Sequence, residues 1–155
     1  MLQVKTTETG FELKNSQQKL ILTGEKINLG ELTVNQAGEY EANGIEIVYG
    51  EQAALVVWDK LQLVYVFGDK KPSLFEKAQF SPSDAVIFSQ TLPSLSKNFF
   101  NETLEQYDPS LVIVSAKTDL DEVGSSFKSE PVEILKLSDQ TLPEEGREFI
   151  TLVCR

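Results

Sequence analysis

Glu39 and Glu41, in the stretch GEYEANGIEI from Gly38 to Ile47, are two residues apart, so on a strand their carboxylates share one face. With Asp69 of FGDKK they could offer oxygen ligands to a hard cation such as magnesium or calcium. The competing reading is plainer: unclustered carboxylates are ordinary solvated surface, and Lys70 and Lys71 beside Asp69 disfavour a cation. The chain has no histidine, the residue that most often binds transition metals at neutral pH. Its one cysteine, Cys154, excludes an internal disulfide and every cysteine-cluster metal site. Cys154 falls in the alternating stretch REFITLVCR and is expected to be a packed strand residue, since no imidazole exists to activate the thiol. No G-x-S-x-G nucleophile turn is present, and Gly38, Gly44 and Gly50 are spaced as turn glycines and do not form a phosphate loop.

The bulk properties narrow the function classes further. A chain of 155 residues with 41% hydrophobic and 25% charged residues is expected to fold as one globular domain over residues 1–155. Fourteen Lys and Arg against 24 Asp and Glu give a net charge of −10, a mean field that repels nucleic acid and anionic membranes. Aromatic residues are not interleaved with basic ones, so no single-strand binding groove is expected. The opening MLQVKTTETG lacks a signal peptide, and no apolar run reaches the roughly 20 residues that span a bilayer. A cytoplasmic protein is expected.

The elements that must hold any site divide the chain in two. Leu2, Val4, Phe11 and Leu13 alternate with Gln3, Lys5, Glu12 and Lys14, the period of strands with one buried and one wet face. QQKLILTG and ELTV continue an antiparallel meander, with Asn28 to Gly30 read as a turn. QAALVVWDK and LQLVYVFGD are nearly continuous apolar runs, as central strands covered on both faces require, joined by a tight hairpin at Asp59 and Lys60. After Gly68 helix and strand alternate. Ser73 and Glu76 form a capping box for a short helix through Ala78. A second helix is expected from Ser94 to Tyr107, and a third after Thr118 carrying Leu120, Val123 and Phe127. DAVIFS, LVIVSA, PVEILKL and REFITLVC read as strands.

This order resembles the small metallo-β-lactamase-fold hydrolases, the group that includes ascorbate-phosphate lactonase-like proteins. The resemblance rests on GEYEANGIEI, WDKLQLVYVFGD, DPSLVIVSAKTDLDEV and ILKLSDQTLPEEGREFITL, in that order along nearly the whole chain. It implies an α+β fold, a truncated αββα sandwich whose N-terminal half is mostly strands and whose C-terminal half alternates helix and strand. It also implies zinc or related ions held mainly by histidines, which activate water. This sequence departs from that pattern at every ligand position but one. The H-x-H-x-D-H excursion would lie between LILTG and ELTV, where only Glu25 to Gly30 stand. The early Gly-His-Ser segment is matched by TTETG, the Asp after the third strand by Gly24, and the late ligand by the region of Ala116 and Lys117. Asp69 alone has a counterpart.

The resemblance places Tyr40, Tyr65, Lys117 and Asp69 near the lost site as the remaining acid–base groups. The expectation is therefore a pseudoenzyme with no catalytic, cofactor or metal residue, acting as a scaffold or interaction subunit. The alternative is a weak metal-dependent hydrolase using Asp69, Glu39 and Glu41. Ile45, Ile47, Val48 and Tyr49 supply apolar groups next to the vacated site, at least one of which should point outward. They are the expected contact of a homodimer or hetero-complex.

Overall fold

The computed structural model describes residues 1–154. Nine strands precede any helix: β1 (Leu2–Thr6), β2 (Gly10–Lys14), β3 (Lys19–Thr23), β4 (Lys26–Leu29), β5 (Leu32–Val34), β6 (Gly38–Ala42), β7 (Ile45–Tyr49), β8 (Ala53–Trp58) and β9 (Leu61–Val66). Then come α1 (Leu74–Phe80), β10 (Ala85–Phe88), α2 (Lys97–Tyr107), β11 (Leu111–Ser115), β12 (Leu135–Leu137) and β13 (Glu148–Leu152). One sheet runs β12-β1-β2-β3-β4-β5 and is antiparallel throughout. The other runs β13-β11-β10-β9-β8-β7-β6, antiparallel from β6 to β9 and parallel from β9 through β10 and β11 to β13.

Alternation puts one face of each sheet into a shared interlayer core. Leu2, Val4, Phe11, Leu13, Leu20, Leu22 and Ile27 meet Ile45, Ile47, Val56, Leu63, Tyr65 and Ile113 there. A second core lies on the far side of the seven-stranded sheet, where Val64, Val66, Val86, Phe88, Val112 and Val114 pack under Phe80 of α1 and Phe100, Leu104 and Tyr107 of α2. The central strands are thus covered on both faces, which is why β8 to β11 read as nearly continuous apolar runs.

Both helices sit on this one side. No helix among the described residues covers the six-stranded sheet, so the sandwich is truncated to sheet, sheet and helices. Its outer face is wet and carries a cross-strand row in which Lys136 pairs with Gln3, Gln3 with Lys14, and Lys14 with Lys19. No helix among the described residues is long and apolar enough to cross a membrane.

Several boundaries differ from the sequence expectation. Asn28 and Leu29 belong to β4; the turn is Gly30 and Glu31, with Gly30 at φ 60°. Ile27 and Leu29 point inward and Lys26 and Asn28 outward, a pattern too short to outweigh the turn-like Asn-Leu-Gly. The second helix starts at Lys97 behind its N-cap Ser96. The helix expected after Thr118 is absent: that segment holds only a 3₁₀ turn at Gly124–Ser126, whose Gly-Ser-Ser composition is poor in helix formers. The PVEILKL strand shrinks to Leu135–Leu137. Cys154 is exposed just past β13, because its strand ends at Leu152.

Candidate functional site

Four adjacent strands of one sheet, β9, β10, β11 and β13, run parallel, and open sheets of that kind gather ligands beyond their carboxyl ends. Here those ends are Phe67–Asp69 after β9, Ser89–Thr91 after β10 and Ala116–Thr118 after β11. Two turns of the facing sheet close over them: the β1–β2 turn from Thr7 to Thr9 and the β3–β4 tip at Gly24 and Glu25. Gly24, Asp69 and the region of Ala116 and Lys117, which the resemblance maps to ligand positions, fall on these segments, as does most of TTETG; the Glu25–Gly30 stretch begins there but runs away along β4.

What meets there is a set of donors turned onto backbone carbonyls. The Gln90 side-chain amide stands 2.7 Å from the Gly10 carbonyl, 3.0 Å from the Thr7 carbonyl and 2.6 Å from Thr6 Oγ1. Thr6 Oγ1 is in turn 3.4 Å from Ser115 Oγ, and both side chains are buried. Lys117 Nζ donates to the Glu8 carbonyl at 2.9 Å. Together they lace the β1–β2 turn to the ends of β10 and β11.

The second turn is held by phenols. Tyr65 Oη donates to the Gly24 carbonyl at 2.7 Å, and Tyr49 Oη donates to the carbonyl of Glu25. Phe67 lies between them, stacked on Tyr49 at a centroid distance of 4.9 Å and tilted against Tyr65 at 6.1 Å. Burial pushes Tyr65 up to about 12, reinforced by Tyr49 and partly offset by a hydrogen bond from Ser89. Burial also raises Tyr49 to about 12, with the Glu25 carboxylate and Tyr40 adding to it. At neutral pH both phenols stay protonated and committed as donors, which removes Tyr65 as a general base. Tyr40 is occupied locally, its hydroxyl donating to the Gln36 carbonyl at 2.9 Å.

The carboxylates do not join this set. Glu39 and Glu41 share the outer face of β6 with Val48 and Glu46 of β7 opposite them. Asp69 is exposed past the end of β9, and three strand spacings, ~14 Å, separate β6 from β9. The structure therefore brings Glu39 and Glu41 together and leaves Asp69 apart. Among the described residues no group of three His, Cys, Asp or Glu side chains could hold a metal ion. Nor do the groups at the strand ends suit the zinc that the resemblance implies. Zinc takes lone pairs from imidazole, thiolate or carboxylate, whereas the side chains that converge between the layers here are an ammonium, an amide N–H₂ and two O–H donors already engaged, and the carboxylates on these segments, Glu8, Glu25 and Asp69, form no group of three.

Of the apolar residues of Ile45–Tyr49 one points outward, within the expectation that at least one would. Ile45, Ile47 and Tyr49 are buried in the interlayer core, since the odd positions of β7 face the other sheet. Only Val48 reaches the opposite face, half-buried, so the expected contact surface loses three of its four residues. Gln90, Thr6 and Ser115 were not anticipated. The signal available was the polar Ser89-Gln90-Thr91 run directly after a buried strand, at the end of a parallel sheet where polar groups converge.

No family model matches the sequence, and no curated protein matches it. Among solved structures, a candidate zinc-dependent hydrolase of the metallo-β-lactamase superfamily from Thermotoga maritima aligns over 99% of this chain and 100% of that one. Its TM-score is 0.75 at 13% sequence identity, a likeness of fold alone. The two stacked sheets with helices on one side are therefore a truncated form of the metallo-β-lactamase fold.

Proposed function

We propose that this chain is a metal-free descendant of the metallo-β-lactamase fold, without hydrolytic chemistry, that serves as an interaction subunit. The observation that carries the reading is the use made of the strand ends. Where a metal hydrolase needs lone pairs converging on an ion, Gln90, Lys117, Tyr49 and Tyr65 direct N–H and O–H groups at the carbonyls of Gly10, Glu8, Glu25 and Gly24. The cleft has become a seam that joins the two sheets. Of the β7 apolar residues, Val48 is the one left to contact a partner, in a homodimer or a hetero-complex.

The test is metal content and chelation. Purified protein, exposed to zinc, magnesium and calcium in turn and then desalted, is expected to retain no stoichiometric ion, and a chelator is expected to leave its melting temperature unchanged. One or more tightly held ions per chain would overturn the reading. Loss of such an ion in Asp69→Ala would then favour the carboxylate alternative.

A further inference from the structure

The two sheets present four edges, and three are short or covered. β5 and β12 have three residues each. The free side of β13 is occupied by Val132, whose N–H donates to the Thr151 carbonyl at 3.0 Å while its own carbonyl accepts from Val153 at 2.9 Å. The remaining edge, β6, has five residues and no proline, bulge or lysine to blunt it.

The hairpin fixes which of its backbone groups are open. Asn43 and Gly44, at φ 54° and 84°, form the two-residue turn that joins β6 to β7. In such a hairpin the closing pair, Ala42 and Ile45, is hydrogen-bonded, and so are the alternate pairs Tyr40 with Ile47 and Gly38 with Tyr49. The N–H and C=O groups of Glu39 and Glu41 therefore point away from β7, toward the open side.

The side chains around that edge define what would fit. Glu39, Glu41 and Glu46 stand exposed on one face, with no ion pair among the described residues. Beside them a groove of about 380 Å³ is lined by Gly38, Glu39, Val48, Ser73 and Phe75. At its α1 wall, Phe75 is 49% exposed and the adjoining Leu74 87%, the latter the most exposed large apolar side chain described.

We propose that β6 receives an extended segment of a partner protein by strand addition, with Lys or Arg at alternate positions over the glutamates and an apolar residue in the Val48–Phe75 groove. The inference rests on the interaction-subunit reading and names its partner. A second copy of this chain is the wrong occupant: a two-fold pairing of β6 about Tyr40 would set Glu39 of each copy directly opposite Glu41 of the other, a destabilising like-charge arrangement. The same glutamates attract a basic strand.

The probe is an acetylated, amidated peptide of alternating Lys and Val ending in Phe, followed by fluorescence anisotropy at low salt and by amide exchange of the protein. Binding is expected in the micromolar range, with new exchange protection at the Glu39 and Glu41 amides. Glu41→Pro removes an outward donor and no β6–β7 ladder bond, although it also removes the Glu41 Oε1 that accepts from the Gly44 N–H of the turn at 3.0 Å; it is expected to weaken binding about tenfold, as is the pair Glu39→Lys with Glu41→Lys. Melting curves confirm that both variants fold. Equal affinity for a Glu-Val peptide, binding that persists unchanged in Glu41→Pro, or no binding at all would each overturn the proposal. Metal content is read on the free protein, so a failure here is distinguishable from a failure of the metal-free reading.

Discussion

The hydroxyl of Tyr65, on a central strand of one sheet, donates to the carbonyl of Gly24, at a hairpin tip of the other, at 2.7 Å. It spans the two layers at the carboxyl end of the parallel strands. Tyr65→Phe keeps the ring and its contact with Phe67 but leaves the Gly24 carbonyl unpaired. The expected cost is ~1–2 kcal/mol, a fall of roughly 2–8 °C in melting temperature for a chain of this size. Tyr107 is the internal control. Its hydroxyl is buried against Phe80 with no hydrogen-bond partner among the described residues, so Tyr107→Phe is expected to change stability by less. Thermal denaturation of both variants checks the order.

The phenols also set an alkaline limit. Tyr49 and Tyr65 are each raised from 10.0 to about 12, because ionisation is harder in the folded protein than in the unfolded chain. Their contribution is whole below pH 10 and is lost as pH climbs through 12. Burial pushes Tyr107 further up in the same direction, with Glu76 adding to it. Melting temperature is therefore expected to stay flat from neutral pH toward 9 and to fall steeply above 10. Tyr65→Phe should fall less steeply there. An alkaline limb identical in the two proteins would contradict the assignment.

Glu76 gives the largest expected effect of a single truncation outside the hydrophobic core. It is fully buried, closes the capping box of α1 through Ser73, and accepts from the backbone N–H of Gln52 and Ala53 at 2.8 Å each. Glu76→Ala strands three backbone donors, at ~1–3 kcal/mol apiece, so a loss of at least ~3 kcal/mol is expected in a urea titration. Glu76→Gln keeps one acceptor oxygen and should fall between.

Gly10 tests the close approach of β2 and β3. A Cβ at this position would lie 1.8 Å from the carbonyl oxygen of Leu22 across the β2–β3 pair. Backbone cannot yield by that much, so Gly10→Ala is expected to disrupt the ladder and sharply reduce the recovered folded protein. Leu74→Asp, at the exposed start of α1, is expected to leave stability within about half a kcal/mol.

Local physics was legible in the residues and long-range physics was not. The alternation of Leu2, Val4, Phe11 and Leu13 gave strands with the correct inward face, because a period of two has only one solution against a core. Ser73 and Glu76 announced their helix, since both halves of the capping box lie within four residues. The second carboxylate oxygen of Glu76, which reaches the start of β8, left no mark in the sequence. The same holds for β7. Three of its five residues are apolar at alternate positions and Val48 falls between them, so the pattern allowed a surface patch as readily as a core face. Only the position of the opposite sheet decided it. At the strand ends, the missing histidines were visible as an absence, but Gln90 looked like any loop amide until the β1–β2 turn was set against it.

β12 belongs to the same sheet as β1 although most of the chain separates them: Leu2 lies opposite Leu137. The meander from β1 to β5 needs only neighbours in sequence and can form as soon as it leaves the ribosome. β1 nevertheless keeps an open side until residues 135–137 have been made, so the sheet that begins first is finished late. Contacts this distant in sequence slow folding. In the interval the growing chain displays the unpaired side of β1 to its neighbours on the polysome, a hazard of synthesis that β12 removes from this sheet once it pairs.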